Sequence, residues 1–170
     1  MLFFNGYSQN SFFTPSFTFK INHWAQSGPY GISSYHFAFD TAINGQVHHK
    51  FDNWGTYPGS VYLRESNDSI FYYSTFCNSD LLLYNFGLQV GDTFRLYHSC
   101  TFPERFVADT VSTVTLLTGQ IVRYIHLTNG YHELRWVYHV GDVNYGFFNS
   151  RGVETFDQFV CASNSSGPLW

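Results

Sequence analysis

Apolar and polar positions alternate with a period of two through most of this chain. Residues 17–24, reading Phe-Thr-Phe-Lys-Ile-Asn-His-Trp, alternate after a Pro15-Ser16 break and predict a first strand that ends in the turn formers of residues 26–31. Residues 34–41 predict a second strand with Tyr35, Phe37 and Phe39 on one face and His36, Ala38 and Asp40 on the other. Asn44-Gly45 then signals a two-residue hairpin turn, because both of its residues tolerate the positive φ that a primed turn requires. Residues 47–51 return from it, and residues 53–59 read as a loop. Residues 61–65 and 70–73 are expected to pair across Ser66-Asn67-Asp68-Ser69, all four turn-compatible.

The chain is organised around residues 84–97. Phe86, Leu88 and Val90 alternate with Asn85, Gly87 and Gln89, then Phe94 and Leu96 alternate with Arg95, with Gly91-Asp92 between the two runs. This pattern predicts a strand, a tight turn at Gly91 and a second strand. Further along, residues 106–117 form a long alternating strand turned by Thr118-Gly119, and residues 121–127 come back. Asn129-Gly130 marks another hairpin before residues 132–140, and residues 156–162 close the chain. No stretch repeats apolar residues at helical spacing over three turns. Turns recur every 8 to 12 residues or so, the spacing of an all-β protein. The predicted fold is therefore an antiparallel hairpin meander forming a sandwich or barrel-like single domain. Residues 40–51 and 109–126 share an Asp-Thr start and a Gly-Gln turn, a match that turn chemistry alone produces.

Composition sharpens this picture. Charged residues make up 12% and hydrophobic residues 44%, which excludes disorder, and the excess is aromatic, with 19 Phe, 13 Tyr and 4 Trp. Aromatic side chains fit a pleated surface better than a helix. A net charge of −4 with only eight Lys plus Arg argues against a nucleic-acid partner, which demands clustered positive charge. Nothing approaches the roughly 20 apolar residues of a membrane helix, and no membrane insertion is expected. A transmembrane β-barrel ranks third among the possible classes, because residues 163–168 do not form a transmembrane strand and Lys or Arg interrupts several outer faces.

Three motifs resemble a family. The segment Tyr84-Asn-Phe-Gly-Leu-Gln-Val-Gly-Asp-Thr93, together with Asp40-Thr-Ala-Ile-Asn-Gly45 and Tyr62-Leu-Arg-Glu65, resembles uncharacterised secreted β-rich proteins of Bacteroidetes-type bacteria, usually exported by the type IX secretion route. Asn85 stands where that family usually has Asp, and Tyr138 and His139 replace the acid and glycine that usually follow its Trp. The sorting domain of such proteins is not among these residues, so the export route rests on the resemblance alone. Residues 1–8 resemble the tail of a signal peptide with small residues before Gln9, leaving residues 9–170 as one β domain. The resemblance implies a secreted or cell-surface location and carries no activity.

Candidate chemistry is sparse. Cys77, Cys100 and Cys161 lack CxxC spacing, which disfavours a zinc site. Buried free thiols are one reading of them; if a disulfide forms, Cys100 with Cys161 is favoured, since each sits at the edge of a strand beside a loop. His48 and His49 fall on opposite strand faces and His132-Glu133 lacks the second histidine of a zincin, so no metal site is assigned. There is no nucleophile elbow, phosphate loop or dinucleotide fingerprint, hence no catalytic residue and no cofactor. Acidic pairs such as Asp40 with Glu65, or Glu104 with Asp109, read as ordinary surface charges. The leading expectation is a non-enzymatic structural or adhesion module. The alternative is a glycan-binding domain or glycan-active enzyme with a polysaccharide or cell-surface partner. Its candidate binding residues are Trp24, Tyr30, Trp54 and Tyr57, aromatic rings in or beside the loops 26–31 and 53–59.

Overall fold

Asn44 and Gly45 adopt φ of 50° and 76°, the pair of left-handed residues a two-residue primed turn requires, and they join the two longest hairpin partners of the larger sheet. In this computed structural model the described residues are 12–13, 16–25, 28–55, 59–97, 100–144, 155–164 and 167–170. They form β1 (Thr18–Ala25), β2 (Gly28–Ile43), β3 (Gln46–Gly55), β4 (Gly59–Ser66), β5 (Ser69–Ser74) and β6 (Ser79–Asn85), then β7 (Thr93–Tyr97), β8 (Pro103–Thr115), β9 (Ile121–Thr128), β10 (Glu133–Val137), β11 (Gly141–Asp142), β12 (Thr155–Asn164) and β13 (Gly167–Pro168). No helix occurs among the described residues. The strands build two antiparallel sheets, ordered β13-β12-β1-β2-β3-β4-β5-β6 and β11-β10-β9-β8-β7. The all-β meander expected from the alternation is the architecture observed, with β12 returning to pair with β1.

Gly119 and Gly130 also lie in hairpin turns, as expected. Gly91 does not. Residues 86–92 form no hairpin; they carry the chain from β6, the last strand of the eight-stranded sheet, to β7, the last strand of the five-stranded one. Phe86 and Leu88 are buried whereas Val90 is 64% exposed, so the alternation read as a strand serves a sheet-to-sheet crossing. The crossing is fixed by hydrogen bonds. Gln89 N donates to Asp92 Oδ2 at 2.8 Å and Asp92 N donates to Gln89 O at 3.0 Å, while Gly91 N donates to Ala108 O at 2.8 Å and Ala108 N to Asp92 O at 2.9 Å. Arg123 Nη2 donates to Leu88 O at 2.5 Å from beneath. The turn chemistry of Gly91 and Asp92 was legible, but its partner is β8 and not a strand of its own.

A bulge in β2 changes one predicted face. The register shifts between Phe37 and Phe39, so Phe39 turns outward, half-exposed beneath the Lys50 ammonium, whereas Tyr35 stays in the core and stacks on Phe19 at 4.6 Å. Between the sheets, Phe19, Ile21, Phe51, Leu63 and Leu83 meet Phe94, Leu96, Phe106, Ile125 and Trp136 in one continuous core. Trp136 receives Phe94 edge-on at 4.6 Å and Tyr84 at 5.2 Å. Such pairs add about 0.5–1.5 kcal/mol beyond the area they bury. Phe12 and Phe13 belong to this core, and Phe12 N donates to Glu65 Oε2 at 2.8 Å. The signal-peptide reading of residues 1–8 lies outside the described residues.

The disulfide differs from the expected pairing. Cys77, in the β5–β6 turn, is bonded to Cys100, just beyond β7, with Cα atoms 5.6 Å apart, and Cys161 is a free thiol. Topology gives the reason. Cys161 lies on β12 opposite Lys20 of β1, separated from β6 by the five strands β1 to β5, so it is remote from the edge where Cys100 emerges.

Candidate functional site

The edges β6 and β7 lie side by side without forming a ladder, and the seam between them opens into a cleft of about 560 Å³. That size falls in the range of ligand sites. One end of the seam is closed by the crossing 86–92, and the other by the Cys77–Cys100 bond. A covalent ring therefore frames the cleft. Of its lining residues, Leu82, Asn85, Leu88, Thr93, Phe94, Arg95 and Tyr97 belong to that ring, and Arg105 reaches in from β8.

Arg95 and Arg105 are directly opposed across the β7–β8 pair. Both are exposed, so they project together from one face, and Arg105 Nη2 donates to Thr93 Oγ1 at 3.2 Å. Like charges facing each other across a strand pair are destabilising. No carboxylate among the described residues contacts either of them, whereas Arg64 is bonded to Asp80 and Arg135 to Glu133. In a chain of net charge −4, this seam concentrates unneutralised positive charge. Two guanidinium forks side by side suit an anion such as a carboxylate or a phosphate. Leu82, Leu88 and Phe94 supply an apolar floor, and Asn85 and Tyr97 supply polar edges. Among the described lining residues there is no carboxylate, histidine, cysteine or serine, and the hydroxyls present are those of Thr93 and Tyr97.

Elsewhere several histidines lie within hydrogen-bond distance of carboxylates. His48 Nε2 contacts Asp80 Oδ1 at 2.8 Å, and Arg64 Nε donates to Asp80 Oδ2 at 2.8 Å. Burial pushes the Asp80 carboxyl up, but the hydrogen bonds and charges of His48 and Arg64 outweigh this and hold it below its ordinary value. Asp40 contacts His49 and Asp109 contacts His126, each at 2.6 Å, so the two hairpins with an Asp-Thr start carry the same pair. Glu104 contacts His132 at 2.8 Å. No group of three His, Cys, Asp or Glu among the described residues is arranged to hold a metal ion. Glu65 accepts from the Tyr138 hydroxyl at 3.3 Å as well as from Phe12. Burial raises the Tyr138 phenol far above its usual value and lowers the neighbouring His139 imidazole. His139 holds φ at 66°, a left-handed conformation uncommon for a bulky residue, and its ring packs 5.7 Å from that of Phe12.

Of the aromatic residues singled out in the sequence, Trp24, Tyr30 and Trp54 lie on strands. Trp24 is on β1 opposite Pro29, Tyr30 is on β2, and Trp54 is on β3 opposite Ser34. A bulge between His23 and Trp24 lets the β1–β2 ladder continue through the stretch read as a loop. Their side chains, and all of Tyr57, lie outside the described residues. The prominent exposed aromatics are instead Phe76 at 90%, Phe102 at 81% and Tyr131 at 93%. Phe76 and Phe102 flank the two disulfide cysteines.

Arg95 and Arg105 were missed in the sequence. A signal existed: Thr93, Arg95 and Tyr97 are the polar half of an alternation whose apolar half is Phe94 and Leu96, and arginines are scarce in this chain. Comparison of the chain with protein-family models, with curated proteins and with solved structures finds no match.

Proposed function

We propose that this chain is a non-enzymatic adhesion or binding domain that works outside the reducing cytosol, secreted or held at a cell surface, and engages its partner in the seam between β6 and β7. One observation carries the proposal. The cleft is framed by a disulfide and lined by two opposed arginines that no carboxylate among the described residues contacts. Such a lining suits the retention of an anionic ligand. A disulfide that closes this ring persists in an oxidising compartment. The resemblance to exported bacterial β proteins supports the same location, and export by the type IX route rests on that resemblance. The alternative of a glycan-active enzyme fits this cleft poorly, since hydrolysis of a glycosidic bond calls for two carboxylates.

The test is adhesion. Beads carrying the protein are incubated with cells of the producing organism, and the state of Cys77 and Cys100 is read by differential alkylation of the native protein. Oxidised cysteines and adherence lost in an Arg95→Glu, Arg105→Glu double variant are expected. Reduced cysteines in a cytosolic fraction, or undiminished adherence of the variant, contradict the proposal.

A further inference from the structure

We infer that the seam takes an extended, acidic peptide segment, added as a strand along β7; this rests on the reading of the seam as the binding site and names its occupant. β7 and β6 are each the last strand of their sheet. An outermost strand carries backbone donors and acceptors on its open side, the template on which a peptide adds by main-chain hydrogen bonds while alternate side chains give specificity. The five residues of β7 offer about 17 Å of such edge. The 560 Å³ cleft beside it gives the added chain room, and the partly exposed Leu82, with the nearly buried Leu88 and Phe94 behind it, forms its apolar wall.

Charge selects among strands. Natural sheets guard open edges with charged side chains, and the opposed Arg95 and Arg105 repel a basic strand. The same two guanidinium groups, with no carboxylate of their own among the described residues, attract a strand that brings a Glu or Asp to that position. Guard and recognition element are thus one device, rejecting most strands and admitting acidic ones. The disulfide closes the far end of the seam and fixes β7 relative to β6, so the edge is organised before the ligand arrives.

The probes are an eight-residue peptide alternating Glu with Val or Thr, its Lys-for-Glu counterpart, the Glu peptide N-methylated at alternate amides, and polygalacturonate. Binding is measured by calorimetry at low ionic strength, where charge contacts are least screened. The Glu peptide is expected to bind saturably and the Lys peptide not at all. N-methylation of the edge-facing amides, and Arg95→Glu or Arg105→Glu in the protein, should each weaken binding at least about tenfold. Either protein variant places an acid opposite an arginine, so its melting temperature should be unchanged or higher, which separates lost recognition from lost folding. An N-methylated peptide that binds as well as its parent overturns strand addition while leaving the binding function standing. Arginine-dependent binding of polygalacturonate without binding of the peptide does the same and makes the occupant a glycan. Binding of every probe that ignores both arginines overturns this inference and the proposed function together.

Discussion

His48 and Asp80 meet at 2.8 Å, although β3 and β6 are separated in the sheet by β4 and β5. In a flat sheet those strands stand about 14 Å apart, too far for two short side chains to touch. The contact therefore marks the curl of the eight-stranded sheet. His48 is only 1% exposed, and its Nδ1 lies 3.1 Å from the carbonyl of Gln46. Both ring nitrogens face acceptors, and Asp80 with Arg64 completes a partly buried network.

Asp80→Asn should lower stability near neutral pH by about 1–3 kcal/mol, the range for a charged hydrogen bond lost from a partly buried site. The sign of the pH dependence follows from the lowered carboxyl. Its ordinary value is 3.8 and the folded value lies below this. The contribution of Asp80 is thus fully present above the ordinary value and disappears as the pH falls through the folded one. Urea denaturation as a function of pH should give the variant a shallower acid decline than the parent; parallel curves would show that Asp80 contributes nothing to acid sensitivity.

Reduction of Cys77–Cys100, or Cys77→Ser, should cost about 3 kcal/mol, as expected for closing a loop of 23 residues of sequence separation. Peptide mapping without reduction should recover the fragments holding Cys77 and Cys100 joined. Cys161→Ser should leave that link and the stability nearly unchanged. A recovered Cys100–Cys161 link would contradict the frame around the cleft.

Much of the fold was legible because side-chain alternation and turn chemistry are local. Asn44-Gly45, Thr118-Gly119 and Asn129-Gly130 each prescribe a hairpin from the conformations they tolerate. Three things were not legible, for one physical reason: each depends on which strands become neighbours across the molecule. The Gly91 turn looked like a hairpin because its hydrogen-bond partner, Ala108, is distant in sequence. The cysteine pairing required knowing that β6 and β7 share a seam while β12 lies at the other side of the sheet. The opposition of Arg95 and Arg105 is a matter of register between β7 and β8, which alternation alone does not fix.

Gly91→Ala isolates the conformational role of the crossing. A Cβ added at Gly91 meets nothing within 4 Å, but φ is +92°, so the cost is backbone strain of about 1–2 kcal/mol. Gly59 is equally open and has no such φ. Gly59→Ala should therefore be neutral or stabilising by about 0.4–1 kcal/mol through the unfolded chain. Thermal denaturation of the two variants side by side checks this, and equal effects would contradict the strain at Gly91.

The most direct test of the central claim, that ligand is held in the seam, is a nuclear magnetic resonance titration of the labelled protein with the acidic alternating peptide. The account predicts that the largest shifts fall on Asn85, Thr93, Arg95, Tyr97 and Arg105, the residues that line the cleft. Shifts concentrated instead around Trp24, Tyr30 and Trp54 on β1 to β3, or no shifts at saturating peptide, would contradict it.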